Sequence, residues 1–265
     1  MITTFVAAAA LGIRVLSADY CADQFVLALT DTEQIAALST DADKDFSYLR
    51  DRAHGIKQAR PDVEAVIANN ADLVIRFWGG DEKRLARTGV RVLTLSYAAD
   101  FEDVRRNIAT AADALGQKQR GNALIASMND RLLKLETDQN ASPSAIYITP
   151  GGVTAGKHTM IDAIFTVAGI QNAITDAGLS YWPAYSVENL VNKPPQLIVT
   201  SFFAANSERI NNWSATRHPA FRRAFTKTPT VNLEADTVSC PAWYSVDAAE
   251  QIRTEINRIW GRAPQ

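Results

Sequence analysis

Residues 117–137 read QKQRGNALIASMNDRLLKLET, with no proline and no glycine after Gly121. Four apolar residues recur at spacings of four, four and three: Leu124, Met128, Leu132 and Leu135. This spacing places them on one face of a single helix. At 1.5 Å per residue, about twenty residues form a rod of roughly 30 Å, the diameter of a small domain. The stretch therefore predicts one long helix, assigned to 118–137, that connects two parts of the chain.

Short apolar runs alternate with helical patterns on both sides of this helix. Predicted strands lie at 14–18, 35–38, 73–77, 90–95, 145–148, 197–203 and 230–233. Helical patterns separate many of these runs, and a further helix is predicted at the end of the chain, 245–260. Alternation of this kind is typical of mostly parallel sheets covered by helices.

The patterns together predict an α/β protein with two α/β lobes joined by one long backbone helix. The N-terminal lobe is assigned to 14–117, the linking helix to 118–137 and the C-terminal lobe to 138–265. A length of 265 residues suits one large domain or two small lobes. We expect a ligand cleft between the lobes, and little hinge movement, because a rod fixed at both ends permits only small closure.

Composition excludes several classes of protein. Apolar residues make up 47% and charged residues 21%, which is ordinary globular composition and excludes disorder and a coiled coil. The chain has 27 basic and 29 acidic residues and a net charge of -2, so electrostatics give no case for binding nucleic acid. Beyond the N-terminus, no uncharged run reaches the roughly 18 to 20 apolar residues that span a bilayer.

The N-terminal segment, 1–13, has the features of an export signal. It carries no charge, and residues 5–11 (FVAAAAL) have the length of a signal-peptide apolar region. A basic region before it is missing, since the first Lys or Arg is Arg14. The alternatives are a buried N-terminal segment or a start codon placed too far downstream. The segment favours an exported, periplasmic protein.

Enzyme motifs are absent from the sequence. It has no P-loop, dinucleotide-binding, serine-hydrolase or zinc-protease signature. His54, His158 and His218 show no metal-ligand spacing, so no metal site built by side chains is predicted. No Asp/Glu pair is distinguished from surface charge as an acid–base pair. We therefore predict a protein that binds without catalysis and needs no cofactor.

Aromatic residues gather at predicted strand ends and in the loops that follow. In α/β sheets, ligands bind beyond the carboxyl ends of the strands, and aromatic side chains there suit a large, flat or partly apolar ligand. The alternative is that several of them simply pack the loops. The predicted ligand-binding residues are Tyr20, Phe77, Trp78, Tyr97, Trp182, Trp243 and Tyr244.

Three passages resemble one family of transport proteins. They are DLVIRFWGGDE at 72–82, TAGKHT at 154–159 and WPAYSVE at 182–188. Their order and spacing resemble those of the substrate-binding proteins of ABC importers for cobalamin and iron–siderophores, and the cobalamin-binding members most of all. These proteins have two lobes joined by a backbone helix. The resemblance runs over nearly the whole chain, from Arg14 to Trp260.

The resemblance implies a function and two partners. It implies an extracytoplasmic, monomeric receptor that captures a metal chelate, a cobalt corrinoid or a ferric chelate, and delivers it to ABC permease subunits. In the family, a surface glutamate on each lobe docks on the permease, which implies that role for Glu188 and for Glu82, with Asp81 as the alternative to Glu82. Trp182 and Trp243 are implied to flank the ligand.

Several alternatives remain at the level of the sequence. A ferric siderophore or haem receptor of the same fold is one. An intracellular metallocluster or sensor protein is another, although two cysteines are too few for a cluster. For Cys21 and Cys240 we expect two small buried thiols. A pair that contacts the ligand or its metal comes second, and a disulfide is the least expected of the three.

Overall fold

The structure is a computed structural model of the chain, and it describes residues 12–80, 82–136, 142–149, 151–201, 219 and 226–261. Most of the predicted signal segment, 1–13, lies outside the described residues. So do Asp81 and the end of the predicted strand 197–203.

The first sheet contains four strands, and all its pairings are parallel. They are β1 (Val15–Ser17), β2 (Ile35–Ala37), β3 (Leu73–Arg76) and β4 (Arg91–Thr94). The helices between and after them are α1 (Tyr20–Leu29), α2 (Val63–Ala68), α3 (Glu82–Ala86) and α4 (Phe101–Ala114). The strand order is β2–β1–β3–β4. Both ends of each strand lie within two residues of the predicted limits.

Burial of β1 and β3 explains why these strands could be recognised. Every residue of both strands is buried, as expected for parallel strands covered on both faces. On one face, Leu16 and Val74 pack in a core cluster with Val66 of α2 and Leu85 of α3. The apolar runs in the sequence are thus the central strands of a sheet.

The long helix is present as α5 (Lys118–Glu136). Met128, Leu132 and Leu135 are buried and Leu124 is half-buried, so the predicted apolar face is the packed face. The predicted last residue, Thr137, lies outside the described residues.

A second four-stranded sheet follows α5, and all its pairings are parallel as well. Its strands are β5 (Ser144–Ile148), β6 (Gln171–Asn172), β7 (Leu197–Ser201) and β8 (Thr230–Leu233). The helices of this part are α6 (Met160–Ala168), α7 (Ala173–Asp176), α8 (Val187–Asn192), α9 (Ala235–Val238) and α10 (Ser245–Trp260). The strand order is β6–β5–β7–β8. The predicted α/β fold with two parallel sheets is confirmed.

Local sequence signals determine where helix α6 begins and ends. The hydroxyl of Thr159 accepts a hydrogen bond from the Asp162 N–H and caps the helix N-terminus. Gly169 ends the helix in the left-handed region, with φ of 71°. Helix α6 then packs against α10. The short elements β6, α7, α8 and α9 were not predicted, because they are too short to show a periodic pattern.

The described chain divides into two compact units. Unit 1 contains the residues up to Asp43, Leu49–Leu95 and Thr110–Lys118. Unit 2 contains Lys44–Tyr48, Ser96–Ala109 and the chain from Gln119 onward. The units interleave along the sequence, whereas the predicted lobes, 14–117 and 138–265, are continuous stretches. The predicted lobe boundaries stay a prediction.

Within the described ranges, no helix combines the length and the apolar character needed to cross a membrane.

Candidate ligand-binding site

The Asp19 side chain bonds to two segments of unit 1, the start of α1 and the loop after β3. One carboxylate oxygen, Oδ1, accepts hydrogen bonds from the N–H groups of Cys21 (3.1 Å) and Ala22 (2.9 Å), and so caps α1. The other, Oδ2, accepts hydrogen bonds from the N–H groups of Phe77 (2.8 Å) and Trp78 (3.1 Å). The start of α1 and the loop after β3 are therefore held by one side chain.

Arg76 holds the same loop from its other side. Its side chain is only 5% exposed, and Nε and Nη2 both donate hydrogen bonds to the carbonyl oxygen of Trp78, at 3.1 and 3.0 Å. A Cβ placed on Gly80 would lie 2.0 Å from Nη2 of Arg76. A side chain at position 80 would therefore have to displace the end of the Arg76 guanidinium.

Trp78 presents the exposed ring of this loop. Its side chain is 42% exposed, whereas Phe77 is buried and contacts Trp78 edge-on, with ring centroids 5.2 Å apart. The indole Nε1 donates a hydrogen bond to Sγ of Cys21 at 3.1 Å. Tyr20 is half-buried beside them, and burial raises the pKa of its hydroxyl. A pocket of about 210 Å³ opens at this loop, lined by Asp19, Arg76, Trp78 and Gly80 among others.

Unit 2 carries a continuous exposed aromatic surface, formed by Tyr97, His158, Tyr181 and Trp182. The hydroxyl of Tyr97 donates a hydrogen bond to the His158 carbonyl (3.1 Å) and accepts one from the Trp182 indole. The rings of His158 and Tyr181 lie 5.7 Å apart. Trp182 is 47% exposed and contacts the buried Tyr147 edge-on. Burial raises the pKa of the Tyr97 hydroxyl.

Backbone pairing fixes two of the three loops that carry the aromatic surface, the loop of His158 and the loop of Tyr181 and Trp182. The Gly156 N–H donates to the Tyr181 carbonyl, and the Tyr181 N–H donates to the Lys157 carbonyl, both at 2.8 Å. A Cβ on Gly156 would lie 2.4 Å from the Leu179 carbonyl oxygen, so the loops touch through a glycine. His158 and Tyr181 both have positive φ, of 66° and 59°. Such a conformation persists only where the surroundings hold it.

This pairing joins two sequence motifs that the sequence analysis treated separately. TAGKHT at 154–159 and the start of WPAYSVE at 182–188 lie on adjacent loops of unit 2. Neither the strained backbone at His158 nor its place beside Tyr181 was predicted. Positive φ at a histidine or tyrosine leaves no signal in a single sequence.

The aromatic residues at the start of α10 lie deeper. Tyr244 is fully buried and stacks on Tyr48, with ring centroids 4.0 Å apart and planes 8° apart. Trp243 is buried and contacts Tyr244 edge-on. The predicted ligand contacts of Trp243 and Tyr244 stay a prediction. Sequence reasoning did not select Tyr48 as a site residue, because nothing links it to α10 in the sequence.

Polar groups surround this aromatic stack. The Tyr48 hydroxyl donates to Asp247 Oδ2 at 2.7 Å, and burial together with Asp247 raises its pKa well above the usual value. Arg131 of α5 donates to Asp247 (2.5 Å) and through two nitrogens to Glu250 (2.9 and 2.6 Å). The network joins α5, α10 and the segment 44–48 of unit 2.

Both cysteines differ from the expected state. Cys21 and Cys240 are buried, as predicted, but both are disulfide-bonded, so neither is a free thiol. The expectation of two buried thiols is therefore wrong, and so is that of thiols that contact the ligand or its metal. The reason is that a single sequence carries no local signal for the oxidation state of its cysteines.

The two glutamates predicted to dock on the permease are surface residues. Glu82 lies in the first turn of α3 in unit 1, and Glu188 lies in the first turn of α8 in unit 2. Both are exposed. Asp81, the alternative to Glu82, lies outside the described residues. Searched over the described residues alone, the chain has no group of three or more His, Cys, Asp or Glu that could hold a metal ion.

Two four-stranded parallel sheets with helices between their strands match the fold of the class III periplasmic binding proteins. More particularly, the chain belongs to the periplasmic binding protein family, whose model matches residues 15–230. The prediction that this is a substrate-binding transport protein and not an enzyme is confirmed by the family.

Comparison with individual proteins agrees with this family. An uncharacterised ABC transporter substrate-binding lipoprotein of Bacillus subtilis, YvrC, is 26% identical over 183 residues, which cover 63% of this chain and 58% of that protein. The match thus spans less than two thirds of the length of this relative.

Two solved structures have the same fold. The periplasmic heme-binding protein RhuT of Roseiflexus sp. RS-1 has a TM-score of 0.69 at 19% identity, covering 92% of this chain and 99% of that chain. The periplasmic vitamin B12-binding protein BtuF of Vibrio cholerae has a TM-score of 0.70 at 20% identity, covering 95% of this chain and 99% of that chain.

Proposed function

We propose that this chain is an extracytoplasmic receptor of an ABC importer that captures a cobalt corrinoid or a ferric chelate. The observation that carries the proposal is the exposed aromatic surface of unit 2, formed by Tyr97, His158, Tyr181 and Trp182. Contiguous exposed apolar patches often mark a surface that a ligand or a partner covers.

The fixed loops and the aromatic faces of this surface suit a large, flat ligand. The rings of His158, Tyr181 and Trp182 lie on loops that backbone hydrogen bonds hold together, so little conformational entropy is lost when a ligand covers them. Aromatic faces stack on planar conjugated systems, and each such contact contributes about 0.5–1.5 kcal/mol beyond the buried area. A corrin or porphyrin ring has the extent to cover several of these side chains together.

Haem is the second candidate ligand, and one observation favours it. His158 places an exposed imidazole beside the Tyr181 phenol within the aromatic surface. Imidazole and phenol are both groups that bind haem iron. The fold similarity to RhuT, a heme-binding protein, supports the same candidate. A ferric siderophore is the third candidate.

The proposed location is outside the cytoplasm. Disulfides persist in oxidising compartments and are rare in the cytosol, and both cysteines of this chain are disulfide-bonded. The relative from Bacillus subtilis is named a substrate-binding lipoprotein. These two observations support export independently of the N-terminal segment.

Delivery to permease subunits is assigned to Glu82 and Glu188. Both carboxylates are exposed, one on each unit, and a charge at an interface rim mainly sets the association rate and the specificity. Glu64 offers a matched control, because it is an exposed first-turn acid of α2 with no proposed docking role.

The test of the proposed ligand class is a binding panel with the purified chain. Tryptophan quenching is measured with cyanocobalamin, cobinamide, haemin and ferric hydroxamate and catecholate siderophores. We expect saturable binding of one tetrapyrrole or ferric chelate. Trp182→Ala should weaken it about three- to tenfold. Trp260→Ala is the control, since Trp260 is 42% exposed at the end of α10. No saturable binding of any panel member would overturn the proposal.

A further inference from the structure

We infer that Asp19 and Arg76 are positioning residues that hold the Trp78 indole ready for the ligand. The inference rests on the proposed function only for the assumption that Trp78 contacts the ligand. The geometry of the three residues is independent of that assumption.

The N–H side of Trp78 is fixed by Asp19. Its carboxylate accepts four backbone N–H bonds, two from the start of α1 and two from the loop after β3, at 2.8–3.1 Å. Hydrogen bonds to an ionised carboxylate are roughly twice as strong as neutral ones. Moving this loop away from Asp19 would therefore cost the carboxylate two of its four donors.

The C=O side of Trp78 is fixed by Arg76. A buried guanidinium is costly unless its N–H groups are used, and here Nε and Nη2 converge on a single backbone carbonyl. Gly80 leaves the space in which this guanidinium lies, and any side chain there would displace it. Gly79 has no such contact, because a Cβ on it would meet nothing within 4 Å.

Trp78 therefore has a half-exposed indole ring, and its backbone is held at both its N–H and its C=O. The indole N–H is also used, in the hydrogen bond to Sγ of Cys21. A side chain that is ordered before the ligand arrives loses less entropy on binding, so the clamp formed by Asp19 and Arg76 raises affinity through Trp78 and not by direct contact.

The first measurement needs no ligand. Time-resolved fluorescence anisotropy and the near-ultraviolet circular dichroism of the tryptophans are compared for Arg76→Met, Gly80→Ala and Gly79→Ala. We expect faster indole motion and a weaker near-ultraviolet signal in Arg76→Met and Gly80→Ala, and the wild-type signal in Gly79→Ala. The difference should disappear when Trp78 is first replaced by Phe. Far-ultraviolet circular dichroism verifies that each variant is folded.

The second measurement is a double-mutant cycle, with haemin and cyanocobalamin as probes. Arg76→Met should weaken the probe that binds by about three- to tenfold in the wild-type background, from the freedom regained by one side chain. It should have almost no effect in a Trp78→Ala background, because a positioning residue acts only through the residue it positions.

Either of two results would show that Arg76 does not position the Trp78 indole. One is an equal loss of affinity from Arg76→Met with and without Trp78. The other is equal indole mobility in Gly80→Ala and Gly79→Ala. If neither probe binds the wild-type chain, the cycle is measured with the panel member that does bind, and the proposed function fails only if no panel member binds. The ligand-free measurement decides in either case whether Arg76 orders the indole. If the probe binds and Trp78→Ala leaves its affinity unchanged, the inference fails while the proposed function stands.

Discussion

Asp23 makes the stability of the chain depend on pH in a way that one substitution should remove. The carboxylate is buried in α1 and accepts hydrogen bonds from the N–H (2.9 Å) and hydroxyl (2.6 Å) of Ser39. Burial raises the pKa of Asp23 from its ordinary 3.8 to about 6, although the hydrogen bonds from Ser17 and Ser39 lower it. The folded chain therefore binds this proton more tightly than the unfolded chain does.

The sign and size of the effect follow from that difference. Because the pKa is raised on folding, the contribution to stability is fully present below about pH 4 and is lost as the pH rises through about 6. A difference of roughly two units between the folded and the unfolded pKa of Asp23 corresponds to about 3 kcal/mol of stability. About half of it, roughly 1.4 kcal/mol, falls between pH 7.5 and pH 5. The Asp23→Asn variant has no such proton to bind.

Urea unfolding at pH 7.5 and pH 5 measures this directly. The free energy of unfolding of the wild type should gain about 1.4 kcal/mol more than that of Asp23→Asn when the pH falls to 5. Asp130→Asn is the control, because Asp130 is exposed on α5 and its substitution should keep the wild-type pH dependence. An Asp23→Asn variant with the same pH dependence as the wild type would refute the reasoning.

Three further predictions concern other parts of the molecule. Arg131→Met should lower the free energy of unfolding by about 1–2 kcal/mol, because the carboxylates of α10 lose a partly buried partner; an unchanged urea midpoint would contradict this. Reversing Glu82 and Glu188 to Lys together should abolish uptake and permease binding at unchanged ligand affinity, while Glu64→Lys has no effect; uptake that survives the double reversal would show the docking assignment to be wrong. Thiol titration of the unfolded chain should find no thiol before reduction and two after it, and any thiol before reduction would contradict the disulfide.

The fold could be predicted because its signals are local. The apolar run at β3 and the apolar face of α5 each lie within one element, and burial alone makes them visible in the sequence. Thr159 marks the start of α6 by its capping hydrogen bond, and Gly169 marks its end by its left-handed backbone conformation. Parallel sheets then follow from the alternation of such elements.

The site could be predicted only in part, because its geometry depends on distant contacts. Phe77 and Trp78 are adjacent aromatic residues, and the sequence alone does not tell which of them is buried. Packing on the sheet buries Phe77 and leaves Trp78 exposed. The Tyr48 hydroxyl meets Asp247 across 199 residues of sequence. Asp19 resembles an ordinary helix cap, and its second role appears only where β3 brings the next loop beside it.

The central claim is that a flat metal chelate covers the aromatic surface of Tyr97, His158, Tyr181 and Trp182. A crystal structure of the chain with the panel member that binds tests this most directly. The account predicts a corrin, porphyrin or ferric chelate in contact with Trp182 and Tyr97, with ring centroids about 4.5–7 Å apart where a ligand ring meets an aromatic side chain. A ligand bound where none of these four side chains touches it would contradict the account.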